Sequence, residues 1–270
     1  MAQQLALFGA QRPPPAPLAP VEPPLLVPTL PAPYFEDGDC RLYLGNCWDL
    51  LPALDPVDVV LTDPPYGMAY RPHGDAAVRW QHPEALGTSI GVIGDQASDF
   101  DPSWIRIAAA RLTAGGVLIL FCSEHHWSDF RVQLVEAGLN LKRTLIWDKP
   151  NGFSQGDLEA DFGCSTEFIL HAHNGRRFLA PPREGNVLRF DRVNGQEMVH
   201  PTEKPVPLMR YLLRKFRATS VIDPFAGSGS TLVAARTLHV PAIGIEIDER
   251  YCETAARRLS QRVLDLSAET

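Results

Sequence analysis

From Arg41 onward the chain alternates short apolar runs with stretches whose apolar residues recur at three- and four-residue intervals. The runs are RLYLGN (41–46), VDVVLTD (57–63), GVLILFC (116–122), LKRTLIWDK (141–149), EFILHAHN (167–174), SVIDPF (220–225) and PAIGIEID (241–248). Their length and their β-branched and aromatic content predict seven strands. Helices are predicted between several of them. One spans Pro102 to Leu112, with Asp101 as N-cap and Pro102 at the first helical position, and another runs from Asp129 to Glu136 and stops at Gly138. Strands alternating with helices predict an α/β fold with a doubly wound, mostly parallel sheet. Ligands bind such sheets at the carboxyl edge, where the strands end.

The first 33 residues break this pattern. They hold ten of the 25 prolines and only two charged groups, Arg12 and Glu22, with neither a helical nor an alternating period, so a flexible tail is expected. The rest of the chain is long enough to bury one sizeable core, and one main domain is expected. The longest apolar runs are too short to span a bilayer, and no basic region followed by an apolar signal core opens the chain. A soluble, cytoplasmic protein is expected. Five cysteines (Cys40, Cys47, Cys122, Cys164 and Cys252) are scattered singly, which argues for reduced thiols and against a disulfide framework or a zinc ribbon. A net charge of −7 disfavours a protein that coats nucleic acid without specificity, while a local basic face can still bind phosphates.

Two strand exits carry the candidate chemistry. In LTDPPYG (61–67), Pro64 and Pro65 remove two backbone donors and fix φ at about −65°, so the exit is stiff and cannot continue as a helix. It sets the carboxylate of Asp63 beside the flat ring of Tyr66, which suits a planar ligand bearing an N–H donor. In VIDPFAGSGSTLVAARTL (221–238), an apolar strand meets Asp223, then the small-residue turn Gly227-Ser228-Gly229-Ser230, then a helix from around Thr231. Glycines admit a ligand close to the backbone, and a helix N-terminus offers unpaired N–H groups to a negative group. Glu246 ends the next strand about 20 residues further on, where an acid accepts ribose hydroxyls. A nucleoside-containing cofactor is inferred; the alternative is a structural Asp cap and a solvated Glu.

DPPY at 63–66, DPFAGSGST at 223–231 and Glu246, in that order, resemble the amino-group DNA methyltransferases of the β-type motif order, over about Arg41 to Arg262. The resemblance implies a Rossmann-like, seven-stranded methyltransferase that moves a methyl group from S-adenosylmethionine to the exocyclic amino group of a flipped base in double-stranded DNA. It assigns Asp63, Pro64, Pro65 and Tyr66 to the target-base pocket. It assigns Asp223, Pro224, Phe225, Gly227, Ser228 and Gly229 to the cofactor turn and Glu246 to the ribose. HPTEKPVPLM (200–209) resembles the segment that holds the methionine end of the cofactor, which places Thr202 and Lys204 near its carboxylate. LYLGNC (42–47) resembles the strand that ends beside the adenine; Asn46 stands where an Asp is usual, with Cys47 next to it, and its amide oxygen can still accept from the adenine amino group.

By the same resemblance a methyltransferase domain covers 34–270 after the 1–33 tail, with DNA-contacting insertions near 68–100 and 175–199. The first holds Arg71, His73, Arg79, Trp80 and His82; the second sets Arg176, Arg177, Arg183, Arg189 and Arg192 against Glu184, Asp191 and Glu197. Arginines suit both phosphate contact and the reading of guanine, although a solvated charged loop has the same composition. Family members with DPPY lean toward adenine N6, so adenine is favoured, and cytosine N4 stays open as the alternative. Methylation at cytosine carbon 5 normally shows a Pro-Cys pair in its family, and none occurs in this sequence.

Other features are read more plainly. A dinucleotide-dependent oxidoreductase would explain the glycine turn and Glu246 but not DPPY, and a noncatalytic nucleic-acid-binding descendant is disfavoured by the intact Asp63, Tyr66, Gly227 and Gly229. No metal is expected: Cys122, His125 and His126 read as a strand end and helix cap. His171 and His173 share one strand face and are expected near DNA or the active cleft. Ser228 and Ser230 lack recognisable His and Asp partners for a hydrolase triad. In the tail, Gln4-Leu5-Ala6-Leu7-Phe8 resembles the peptides by which bacterial replication and repair proteins dock on the sliding clamp. Gln4, Leu5, Leu7 and Phe8 are therefore expected to dock there, unless the pentapeptide is a chance match.

Overall fold

A computed structural model describes residues 29–65, 101–152, 159–160, 162–193 and 203–261. The clamp-like peptide, Tyr66, the 68–100 insertion and Thr202 lie outside the described residues. The strands are β1 (Phe35–Asp37), β2 (Cys40–Leu44), β3 (Val57–Thr62), β4 (Leu112–Cys122), β5 (Asn140–Leu141), β6 (Leu145–Asp148), β7 (Thr166–His173), β8 (Val187–Arg189), β9 (Val221–Asp223) and β10 (Ala242–Glu246). They join in one sheet in the order β1-β2-β10-β9-β3-β4-β7-β6-β8, with β5 paired to β7. From β2 through β10, β9 and β3 to β4 every pairing is parallel. β7 then runs antiparallel to β4 and to β6, and β1 is antiparallel to β2.

The side-chain period of two divides the core between the faces of the sheet. Val59, Leu61, Val117, Ile119 and Phe121 pack on one side and Val60, Leu118, Leu120 and Cys122 on the other. Three helices cover the first face: α4 (Val206–Lys215), α5 (Ser230–Thr237) and α6 (Glu249–Ser260). The second face is covered by α1 (Cys47–Leu50), α2 (Trp104–Ala109) and α3 (Trp127–Glu136). The sheet is therefore doubly wound. On one side of the sheet the chain steps outward from β9 to β10, and on the other from β3 to β4, so the order reverses between β3 and β9. That reversal opens a crevice at the carboxyl ends of these two strands.

All seven predicted strands are present, with two differences. The expected 141–149 strand is broken at 142–144 into β5 and β6, and two three-residue strands, β1 and β8, extend the edges. Both are too short and too charged to carry a periodic signal, and pairing with β2 and β6 is what makes them strands. The predicted Pro102 to Leu112 helix is shorter, because Leu112 already pairs with Val57 as the start of β4. Asp101 accepts a hydrogen bond from the Ser103 N–H at 2.9 Å, but the N-cap is Ser103 itself, two residues later than expected. No described helix is long and apolar enough to cross a membrane.

Candidate active site at the carboxyl edge of the sheet

Five strand ends meet at one edge. Asn46 follows β2, Glu246 ends β10, Asp223 ends β9, Asp63 follows β3 and Glu167 stands at the start of antiparallel β7. The two motifs read from the sequence, 160 residues apart by number (Asp63 and Asp223), are thus brought side by side on neighbouring strands. Thr62, buried at the end of β3, donates to Asp223 Oδ1 at 2.7 Å and ties the two exits together.

Asp63 is held by a buried lysine. Lys204 Nζ lies 2.6 Å from Asp63 Oδ2 and 3.2 Å from Glu167 Oε2, while Lys149 Nζ lies 2.7 Å from Glu167 Oε1. The four charges alternate in sign from β6 to the exit of β3. Burial opposes the charge on Lys204, yet Asp63 and Glu167 hold its pKa above the usual lysine value. Burial likewise opposes ionisation of Glu167, and Lys204 and Lys149 hold its carboxyl below the usual range. The Lys204 ammonium also lies over the Phe121 ring, 5.2 Å from its centroid. The three-donor ammonium therefore serves two carboxylates and keeps Asp63 an ionised acceptor.

Asp223 is built differently. It is 3% exposed, and burial pushes its carboxyl up to about 6, against the hydrogen bonds that the Thr62 hydroxyl and the Phe225 N–H donate to it. Pro224 is buried and Phe225 half-buried, its ring edge-on to Trp48 and Trp104 with centroids 6.1 and 5.1 Å apart. In the turn, Gly227 donates its N–H to Glu246 Oε2 at 2.7 Å, and the other oxygen accepts from the Asp248 N–H at 2.8 Å. Glu246 is 8% exposed, and burial is the main cause of its raised pKa. The glycine turn and the acid one strand later are thus locked to one another. Gly229 caps α5 with φ of +83°, and a Cβ there would lie 3.0 Å from the Ala255 Cβ, so both its backbone and its space require glycine.

Several assigned residues also make contacts within the protein itself. Ser228 faces α6, where Arg258 donates to its carbonyl at 2.8 Å and its hydroxyl at 2.9 Å. Arg258 also pairs with Glu203 at 2.7 Å, which anchors the start of the Lys204 segment to the back of the glycine turn. The Cys47 thiol is buried in the core with its pKa pushed up to about 12, leaving only its backbone at the edge. Asn46 is exposed and caps α1 by accepting from the Trp48 N–H at 3.0 Å.

Two expectations are corrected. His171 and His173 do not lie near the cleft: β7 runs antiparallel, so His173 pairs with Val117 at the amino edge, about 20 Å from Glu167 along the strand. The arginines in the described part of 175–199 do not share one edge. Arg177 is spent at the amino edge on Asp58, while Arg189 at the end of β8 reaches Asp148 Oδ2 at 2.9 Å on the carboxyl edge. Sequence reasoning missed Glu167, Lys149, Thr62 and Arg258. The available signal was the charge of Glu167 and Lys149 at the ends of otherwise apolar runs.

Comparison with known proteins agrees with this geometry. Residues 57–257 match the profile of the N6/N4 family described as DNA methylase. The Type II methyltransferase M2.MboI of Moraxella bovis is 25% identical over 257 residues, covering 84% of this chain and 90% of the relative. The crystal structure of the M1.HpyAVI–SAM complex superposes with a TM-score of 0.63 at 24% identity, covering 82% of this chain and all of that one. The PvuII DNA methyltransferase, cytosine-N4-specific, superposes at 0.66 with 15% identity, covering 86% of this chain and 90% of that one. With the profile spanning both strand exits and the segment between them, the chain belongs to the N6/N4 family of DNA methylases.

Proposed function

We propose that this DNA amino-methyltransferase acts on a base rotated out of double-stranded DNA, adenine N6 by preference, with Asp63 and the Pro64 carbonyl as the acceptors that bind the amino group. One observation carries the reading: a stiff, acceptor-bearing strand exit meets the glycine turn and Glu246 at the crevice where the strand order reverses.

The methyl donor is S-adenosylmethionine, which when bound supplies an electrophilic methyl group on a sulfonium. The residues present fit it. Two main-chain N–H groups fix the Glu246 carboxylate and leave further lone pairs for ribose hydroxyls. Phe225 and Trp48 offer an apolar wall, Asn46 an amide beside it, and Lys204 a cation for the carboxylate end, with Thr202 assigned to the same end.

An exocyclic amino nitrogen is a poor nucleophile because its lone pair is delocalised into the ring. Accepting its two N–H bonds at Asp63 and the Pro64 carbonyl favours a pyramidal nitrogen. The same acceptors stabilise the positive charge that grows as the N–C bond forms and the S–C bond breaks. The proton then leaves the nitrogen by way of Asp63 to solvent. Lys204 keeps Asp63 ionised for this purpose and fixes its orientation. Extruding the base costs about a few kcal/mol, and stacking on Tyr66 returns about 1–3 kcal/mol. Arg189, whose side chain stays exposed beside Asp148, offers a guanidinium to a DNA phosphate, with the 68–100 segment as a further contact.

The test is incubation with plasmid DNA and methyl-labelled cofactor, followed by nucleoside digestion and mass spectrometry. Labelled N6-methyladenine is expected. Labelled N4-methylcytosine would move the target to cytosine, whose amino group presents the same two N–H bonds, and unlabelled DNA would overturn the reading. We further read the protein as cytoplasmic and Gln4, Leu5, Leu7 and Phe8 as a peptide that docks on a bacterial sliding clamp. Equal clamp binding by the parent protein and a Leu7→Ala, Phe8→Ala variant would remove that partner.

A further inference from the structure

The backbone around Lys204 is pinned on both sides, which leaves only its side chain to move. Glu203 before it is held by Arg258 at 2.7 Å, and Pro205 after it is the N-cap of α4, with φ of −66°. At the end of a flexible four-carbon stem, the resting place of the ammonium is chosen by what it meets. It meets groups from three strands: Asp63 Oδ2 at 2.6 Å just past β3, Glu167 Oε2 at 3.2 Å on β7, and the Phe121 ring on β4. Glu167 is held in its turn. Lys149 Nζ, just past β6, grips its other oxygen at 2.7 Å while lying 4.8 Å from the centroid of the Trp147 ring.

Asp63 and Lys204 by themselves make a neutral pair. A carboxylate neutralised by its own counter-ion offers little to a nitrogen that turns positive as it is methylated. Glu167 changes this balance. With it, the three groups nearest the exit of β3 carry one net negative charge, and the balancing cation, Lys149, stands one carboxylate further off. The Lys204 side chain is 6% exposed, so water does little to screen these charges from one another. Burial opposes the charge on both Lys204 and Glu167. Asp63 and Glu167 together hold the ammonium in its charged form, and Lys204 with Lys149 does the same for the Glu167 carboxylate.

We propose that Glu167 is a positioning residue for methyl transfer: by sharing the Lys204 ammonium it keeps that cation from neutralising Asp63, so that Asp63 receives the target amino group as a negatively charged acceptor. The role rests on the reading of Asp63 as that acceptor. Glu167 acts through Lys204, and its own charge is the same before and after the transfer. Its effect grows along the reaction, because the amino nitrogen is neutral in the bound base and positive once the N–C bond has formed. It therefore lowers the barrier more than it strengthens binding. The requirement is for charge and not for shape. Gln has the outline of Glu but one acceptor oxygen and no charge, whereas Asp keeps the charge on a shorter stem.

The test compares the full-length parent with Glu167→Gln, Glu167→Asp, Lys204→Met, the Glu167→Gln, Lys204→Met double variant and Asp63→Asn, on plasmid DNA with methyl-labelled S-adenosylmethionine. Single-turnover rate constants report the chemistry, and calorimetry reports the dissociation constants for cofactor and DNA. Glu167→Gln should lower the rate constant about tenfold with both dissociation constants within about threefold of the parent, and Glu167→Asp should recover most of the loss. The double variant should be no slower than Lys204→Met, because with the ammonium gone Glu167 has nothing left to share. The same pair of variants decides the matter if Glu167→Gln alone does not fold, since removing both members of a buried ion pair leaves neither unpaired. Parent-like turnover by Glu167→Gln would reduce Glu167 to a structural clamp, and a further loss of about tenfold in the double variant would overturn the coupling through Lys204. Asp63→Asn separates the two readings. If it is inactive while Glu167→Gln is parent-like, the positioning role alone fails; if Asp63→Asn turns over normally, the acceptor reading falls and the positioning role with it.

Discussion

The strand β3 carries an aspartate at each end, and the two are paired in opposite ways. Asp58, at the amino end, is gripped by Arg177, whose guanidinium reaches both carboxylate oxygens and also donates to the carbonyls of Phe216 at 2.6 Å, Arg217 at 2.7 Å and Gly115 at 3.2 Å. The Thr219 N–H adds a further bond to Asp58 at 3.0 Å. Asp63, at the carboxyl end, meets the single ammonium of Lys204, which it shares with Glu167. A guanidinium is a planar fork that locks a geometry, whereas an ammonium is a compact charge whose three donors can be redistributed. The amino end is thus riveted, joining β3, β4 and the end of α4 through one side chain. The carboxyl end is held instead by a compact cation shared between two carboxylates. The same strand provides the rigid anchor and the reactive acceptor because its two ends need different cations.

The comparison breaks most sharply at Asp63. Asp63→Ala should lower methyl transfer about a thousandfold, the loss typical of a charge-stabilising acceptor, with the cofactor dissociation constant unchanged within about threefold. Near-native turnover in a single-turnover assay would remove Asp63 from the chemistry. At the other end, Arg177→Ala leaves Asp58 half-buried and unpaired and should cost about 3 kcal/mol in urea denaturation, while cofactor affinity of the folded fraction stays the same. A variant as stable as the parent would mean that Arg177 is not the rivet.

A third test reads the switch point itself. The pKa of Asp223 is raised by folding, so its contribution to stability is present below about pH 4 and is lost as pH rises to about 6. Stability of the parent relative to Asp223→Asn should fall across that window by up to about 3 kcal/mol and stay level above it. A difference that is flat with pH would show that Asp223 ionises normally. Glu246→Ala should raise the cofactor dissociation constant about tenfold or more and leave DNA affinity intact, as calorimetry against each ligand would record. The smallest effect is expected from exchanging the cation: Lys204→Arg keeps the charge but imposes a fork, and should lower kcat about fivefold with little change in thermal midpoint. An unchanged kcat would mean that any cation serves at this end.

The sequence by itself determined the alternation of strands and helices, because apolar period and turn chemistry are local properties. It also located Asp63, Pro64 and Pro65 at one strand exit and Asp223, Gly227 and Gly229 at another, because proline stiffness and glycine freedom are written in single residues. Strand order was not legible, since nothing local tells β9 to lie between β10 and β3. That order alone decides that the two exits touch through Thr62 and Asp223. Pairing of charges was equally hidden. Lys204 finds Asp63, 141 positions away, and Glu167 only because antiparallel β7 returns its first residues to the carboxyl edge and sends His171 and His173 to the other. The five arginines of 175–199 looked alike as a composition, yet β8 divides them between opposite edges and makes Arg177 a rivet. Local chemistry fixes what a residue is able to do, and only packing across the sheet, where low dielectric makes partner and burial decisive, fixes which of those things it does.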